Sequence, residues 1–280
     1  MYRLVRCIYM VEFTQKERYN IDDLLEIVRL LRGKGGCPWD REQTHSSIKN
    51  DFIEETCEVL EAIDLEDPIL LREELGDVLL QVVMHCQMEN EAGNFVFDDV
   101  CNEICRKLIV RHPHVFGDTL VNNTEDVLRN WDSIKMKTKG QESYTDTLTS
   151  VAKSLPALMR AQKVGKRAMR AGMDFRSAED AMACIGFEKA ELDEAVALDD
   201  KQKIEEELGD LLFSCVNAAR HLGVDAELAL SAATNKFIKR FSKTEELVSL
   251  DSYDMKDLPI EELDVYWEKA KKLIKNNGGN

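Results

Sequence analysis

Eight carboxylates limit the chemistry open to this chain. Glu55, Glu58, Glu74 and Asp77 form an ExxE and then an ExxD in the first half, and Glu191, Glu194, Glu207 and Asp210 repeat the arrangement in the second. Residues three apart on a helix share a face. The connection between the two helices of each half is too short for anything but an antiparallel return, so four carboxylates converge between two helices. At about 6 Å and an effective dielectric near 20, each pair repels by about 3 kcal/mol. A quartet then carries repulsion on the order of 15 kcal/mol, more than the net stability of a typical domain. Either several are protonated or divalent cations sit among them, and metal is the simpler answer.

An isolated ExxE is ordinarily a solvated face, but the second helix of each pair argues otherwise. The stretch from Leu71 to Cys86 is apolar almost all round, with Glu74, Asp77, Gln81 and His85 in one narrow arc. The stretch from Glu207 to His221 repeats this with Glu207, Asp210, Ser214, Asn217 and His221. A helix apolar on most of its circumference is buried, so these carboxylates are expected to be buried or in a cleft. Gly76 and Gly209, between the ExxD carboxylates, are expected to let a neighbouring helix come close. Apolar surface left over on such a helix pair is best covered by a second copy, so a homodimer or larger assembly is expected.

All-oxygen ligation favours hard ions, Mg²⁺ with Mn²⁺ as a substitute. A di-iron bundle needs Glu-x-x-His on two helices. The chain offers only Glu42-Gln43-Thr44-His45, at a loop-to-helix boundary and without a counterpart in the second half. A Mg²⁺ ion held by carboxylates usually keeps waters and receives substrate phosphates. Lys236 and Arg240, four apart on one helical face, are placed to meet phosphate oxygens, and Trp267 to stack on a base. Lys107, Arg111 and Trp131 recur at the matching places of the first half.

The elements that position these residues are helical throughout. Helices are expected near 21–32, 45–64, 68–91, 97–111 and 124–138, then near 155–170, 177–198, 200–222, 225–246 and 259–276, with no sustained strand alternation. The fold class is therefore all-α, with two tandem modules of the same order. Residues 1–20 form an extension, 21–139 the first module, 140–154 a polar linker rich in Ser and Thr, and 155–276 the second module. Gly172 and Gly223 fall at helix ends. The Cys37-Pro38-Trp39-Asp40 stretch is a loop whose Trp39 is expected to pack.

The 280 residues carry a net charge of −16, which excludes non-specific binding to nucleic acid or anionic membrane. The eight cysteines form no CxxC pair and read as reduced core residues of a cytoplasmic protein. No segment reads as a signal peptide or membrane span.

Together, Cys37-Pro38-Trp39-Asp40, the ExxE and ExxD pairs, Arg111-His112-Pro113-His114-Val115-Phe116 and Ser154-Leu155-Pro156-Ala157-Leu158 resemble MazG, a tandem-domain family of the all-α NTP pyrophosphatase superfamily. The resemblance runs from about Ile21 to about Lys272. It implies Mg²⁺-dependent hydrolysis of nucleoside triphosphates to monophosphate and pyrophosphate, by water attack at the α-phosphorus. It implies Glu55, Glu58, Glu74 and Asp77 as metal ligands in the first module. In the second it implies Glu191, Glu194, Glu207 and Asp210, with the second module the main catalytic one. The family's EExxE stands complete at Glu54–Glu58, whereas Ala190 precedes Glu191. A non-catalytic metal-stabilised scaffold is the competing function. Full acidic quartets argue against it, since a scaffold can exchange buried charge for apolar packing without loss.

Overall fold

Aspartates and prolines set where the helices begin. A computed structural model describes residues 11–121, 123, 127, 134 and 143–277, so Trp131 and most of the helix expected over 124–138 lie outside the described residues. The chain divides into two compact units, residues 1–134 and 135–280. Among the described residues every regular element is a helix, as the periodicity requires.

Unit 1 comprises α1 (Ile21–Arg32), α2 (Pro38–Glu42), α3 (Lys49–Asp64), α4 (Pro68–Ala92), α5 (Phe97–Arg111) and α6 (Pro113–Phe116). Asn20 and Asp23 close a capping box at the start of α1. Asp67 caps α4 by accepting from the backbone N–H of Ile69 and Leu70, and Pro68 takes the first helical position, where a missing N–H is harmless. Val28 of α1 packs with Ile48 and with Val83, Met84 and Met88 of α4 to form the core. The side chain of Arg32 donates to the carbonyls of Asp40 and Gln43 and to both oxygens of Glu91. One guanidinium thereby ties the loop after α1 to α4.

Two expectations for this unit need correction. Trp39 does not pack: it is 62% exposed, because Arg32 holds the loop by its carbonyls and leaves the indole outside. The helix expected from residue 45 begins at Lys49. Ahead of it, Ser47 Oγ accepts from the Thr44 N–H and Thr44 Oγ1 from the Ser47 N–H, a local exchange that competes with helix.

Unit 2 comprises α7 (Tyr144–Thr149), α8 (Ala157–Arg170), α9 (Ala178–Ala197), α10 (Lys201–His221), α11 (Ala226–Leu250), a 3₁₀ turn (Met255–Asp257) and α12 (Ile260–Asn277). α7 lies within the stretch expected to be a linker. Ser143 and Asp146 form a capping box there, and Arg167 of α8 donates to Ser150 Oγ. Its Ser and Thr content suggested coil, but the S-x-x-D spacing is a helix start. Gly172 (φ +89°) and Gly223 (φ +72°) take the left-handed conformation that follows a helix end. α8 approaches α10 closely at Gly165, where a Cβ would stand 2.9 Å from Asn217 Oδ1.

The loop ahead of α9 is held to α10 by Asp174, which accepts from both terminal nitrogens of Arg220 and pairs with His221 Nε2 at 2.9 Å. The Arg220 bonds, led by its guanidinium, hold the Asp174 carboxyl well below the usual carboxylate range. Both side chains are largely buried. Asp174→Asn should destabilise unit 2 by about 3 kcal/mol, because it leaves a buried guanidinium unpaired. Chemical denaturation of the two proteins measures this directly.

The two units share one register. Asp200 caps α10 as Asp67 caps α4. The residue before each cap, Glu66 (φ +53°) and Asp199 (φ +52°), takes the same left-handed turn. That turn fixes which residues of α3 face α4 and which of α9 face α10.

Candidate metal centre

Each helical hairpin brings three carboxylates together. In unit 1, Glu55 and Glu58 of α3 meet Glu74 of α4, with one oxygen of each within 4.8 Å of the others. Asp77 lies beside them, since among the charges acting on Glu55 its effect is the largest. Burial, and then the charges of Asp77 and Glu58, raise the Glu55 pKa; burial, and then Glu58 and Asp77, raise that of Glu74. Three of the four expected residues of unit 1 lie within 4.8 Å of one another, and Asp77 is near enough for its charge to act on Glu55 and Glu74.

In unit 2 the trio within 4.8 Å is Glu188, Glu207 and Asp210. Glu207 is only 8% exposed. Burial raises its pKa, and the charge of Glu191 adds most to that effect. Glu188 accepts a hydrogen bond from Cys184 Sγ at 3.5 Å. Glu191 is close enough to act on Glu207, and Glu188 joins both Glu207 and Asp210. Glu194 has no such place, because it stands one helical turn nearer the loop.

Sequence reasoning missed Glu188, although a signal was available. Glu55 and Glu188 stand the same number of residues ahead of the caps Asp67 and Asp200, as do Glu58 and Glu191. Counted from the caps, Glu188-x-x-Glu191 corresponds to Glu55-x-x-Glu58, and Glu194 corresponds to Glu61. The apparent loss of an acid at Ala190 follows from the other alignment. In the hairpin register the counterpart of Glu54 is Phe187.

The raised pKa values carry a sign. A carboxyl whose folded pKa exceeds its ordinary 4.5 contributes stability that is fully present below that value and is lost as pH rises through the folded pKa. In chelator, the thermal midpoint should therefore gain from this cluster as pH is lowered from neutrality. Glu74→Gln, a fixed neutral mimic, should raise the metal-free midpoint at neutral pH, which scanning calorimetry can measure.

The remaining expected residues stand on other helices. Lys236 is exposed and Arg240 half-buried on α11, and Trp267 of α12 packs against Phe237 with ring centroids 5.2 Å apart. These three belong to the α11–α12 hairpin. Lys107 is exposed and Arg111 buried on α5. Gly76 and Gly209 have nothing within 4 Å of an added Cβ, so among the described residues the close helix approach expected at them is not found. Around them Leu75, Leu208, Leu212 and Phe213 stay about half exposed, and the apolar circumference of α4 and α10 is covered only in part.

The donor set fits a hard divalent ion. It is all carboxylate in both units and raises its own proton affinity, so a bound cation removes an energetic penalty. No helix among the described residues is long and apolar enough to cross a membrane.

The two hairpins fall within matches to a known protein family. The model of the MazG nucleotide pyrophosphohydrolase domain matches twice, at residues 43–116 and 176–244. Each match contains one carboxylate hairpin. The nucleoside triphosphate pyrophosphohydrolase/pyrophosphatase MazG of Thermotoga maritima is 45% identical over 250 residues, 89% of this chain and 95% of that protein. The nucleoside triphosphate pyrophosphohydrolase of Escherichia coli K12 is 44% identical over 258 residues, 90% and 97% of the respective chains.

Proposed function

The chain belongs to the MazG nucleotide pyrophosphohydrolase family, and from that premise we propose that it hydrolyses nucleoside triphosphates to nucleoside monophosphates and pyrophosphate with Mg²⁺. The observation that carries this reading is the pair of carboxylate hairpins, Glu55/Glu58/Glu74 and Glu188/Glu207/Asp210.

In unit 1 the ligands are Glu55, Glu58, Glu74 and Asp77. In unit 2 they are Glu188, Glu191, Glu207 and Asp210, a set revised from the sequence by one helical turn. When bound, Mg²⁺, or Mn²⁺ in its place, neutralises the triphosphate and acidifies water. The chain's own residues do the rest. The paired helices hold the carboxylates at fixed spacing, and a carboxylate oxygen accepts the proton of the attacking water. That water's oxygen bonds to the α-phosphorus as the bond to the bridging oxygen breaks, and pyrophosphate leaves. Lys236 and Arg240 take phosphate oxygens and Trp267 the base, with Lys107, Arg111 and Trp131 in the same roles in the first module.

The half-exposed leucines beside Gly76 and Gly209 support a homodimer or larger assembly, in which a second copy covers these faces. Light scattering that returns a single-chain mass of 32.0 kDa would refute this. The absence of a membrane-spanning helix among the described residues and the acidic charge fit a cytoplasmic enzyme of the nucleotide pool.

The test is a product assay over ribo- and deoxyribonucleoside triphosphates with Mg²⁺, resolving pyrophosphate from orthophosphate. Monophosphate and pyrophosphate, lost on adding EDTA, are the expected products. Orthophosphate release, or no turnover, rejects the assignment.

A further inference from the structure

Unit 1 contains a second cluster of metal-binding side chains, built of nitrogen rather than oxygen. We propose that His45 and His85 form a site for a borderline-soft divalent ion such as Zn²⁺, separate from the carboxylate hairpin. His45 lies in the turn before α3 and His85 in the second half of α4, two turns beyond Asp77. Their Nδ1 atoms are 2.6 Å apart and their rings lie parallel within 3°. Two lone pairs cannot face each other at that distance, so either a proton or a cation sits between them.

Three features favour a cation. The other ring nitrogen of His45, Nε2, is 2.6 Å from Glu89 Oε1, and Glu89 Oε2 is held in turn by Asn94 Nδ2 at 2.6 Å. A carboxylate that takes the far N–H of an imidazole fixes the tautomer, and it aims the near nitrogen's lone pair, which is the usual setting of a metal-binding histidine. Next, Gln81, one turn ahead of His85 on the same face, keeps a buried Oε1 without a hydrogen-bond partner among the described residues. A metal-bound water would satisfy that acceptor. Finally, His85 lies on the well-packed α4 beside the core residues Met84 and Cys86, so its ring is held in place while His45 is free to adjust.

The rings now point head to head, with nitrogens 2.6 Å and centroids 4.9 Å apart, so they must tilt in plane to share an ion. Two Zn–N bonds of about 2.0–2.1 Å in a tetrahedral site place the nitrogens roughly 3.3 Å apart. The His45 side chain is 48% exposed and sits in a turn, so it can tilt and move back the roughly 0.7 Å between 2.6 Å and that separation, and it leaves an entry path. Waters complete the shell. Imidazole suits zinc, copper and nickel, whereas the carboxylate hairpin suits Mg²⁺, so the two sites sort ions by ligand type. The equivalent positions in unit 2 are Ala178 and Ala218, so the site is particular to the first unit. A bound ion would pin the turn leading into α3, and hence Glu55 and Glu58, to α4.

The inference is independent of the pyrophosphohydrolase reading. It is tested by Zn²⁺ titration of the full chain in excess Mg²⁺, followed by calorimetry, with Co²⁺ absorption as a second readout. Zn²⁺ should bind unit 1 despite the Mg²⁺. His45→Ala and His85→Ala should each weaken it by on the order of 100-fold, and Glu89→Gln by about 10–100-fold. Glu58→Gln should leave it unchanged. Circular dichroism identifies a variant that fails to fold, and His45→Ala, in an exposed turn, keeps the test open if His85→Ala does. Undiminished Zn²⁺ affinity in folded His45→Ala, affinity lost instead in Glu58→Gln, or no Zn²⁺ bound in excess Mg²⁺ would each overturn the proposal.

Discussion

Glu188→Gln is expected to lower turnover on the order of 10²–10³-fold, because it removes one of three carboxylates that share a site with Asp210 and the buried Glu207. Glu194→Gln, one turn away on an exposed face, should stay within about threefold of the parent. The contrast is sharp because both residues belong to acidic pairs with the same spacing. Glu188 and Glu191 form one pair, Glu191 and Glu194 the other, and only the hairpin turn decides between them. If Glu194→Gln proves as severe as Glu188→Gln, the turn register is wrong and α9 must shift by three residues against α10. Mg²⁺ titrations separate loss of ion affinity from loss of chemistry, since excess ion should restore part of the former only.

The second large effect concerns the division of labour between units. We expect Glu207→Gln to lower turnover by about 10³-fold, and Glu74→Gln to leave it within roughly tenfold of the parent. The second unit is the catalytic one in this account, while the first binds metal. Full activity in Glu207→Gln would sink that assignment. The same variants report on stability. An ion present at about 100 times its dissociation constant stabilises the folded state by about 2.7 kcal/mol. Each unit should therefore lose a Mg²⁺-dependent increment of its own when its glutamate is replaced.

Much of this was legible in the sequence. The repeated ExxE and ExxD spacing pointed to the Glu55, Glu58 and Glu74 cluster of unit 1, because helical periodicity places Glu55 with Glu58 and Glu74 with Asp77 whatever packs around them. In unit 2 the same periodicity allowed two readings one turn apart. What distinguishes them is a backbone turn at Asp199, a non-glycine residue with positive φ, and no side-chain pattern announces that conformation. The caps Asp67 and Asp200 were the available landmark.

The burial of α4 and α10 was harder to read. Their apolar circumference implied full cover, yet Leu75 and Leu212 remain about half exposed. Periodicity reports that a face is apolar but not whether this chain or another copy covers it. Trp39 failed for a related reason. A Trp in a loop bounded by Gly and Pro reads as an anchor, and nothing local reveals that Arg32 already anchors the loop through the carbonyls of Asp40 and Gln43. The His45–His85 contact joins residues forty apart, on a turn and a helix, and only the fold brings them together.

The central claim is that carboxylate-held Mg²⁺ directs water to the α-phosphorus. Hydrolysis of a nucleoside triphosphate in ¹⁸O-labelled water, followed by mass spectrometry of both products, tests it most directly. The account predicts one ¹⁸O atom in the nucleoside monophosphate and none in the pyrophosphate. Label in the pyrophosphate would place the attack on the β-phosphorus and contradict it.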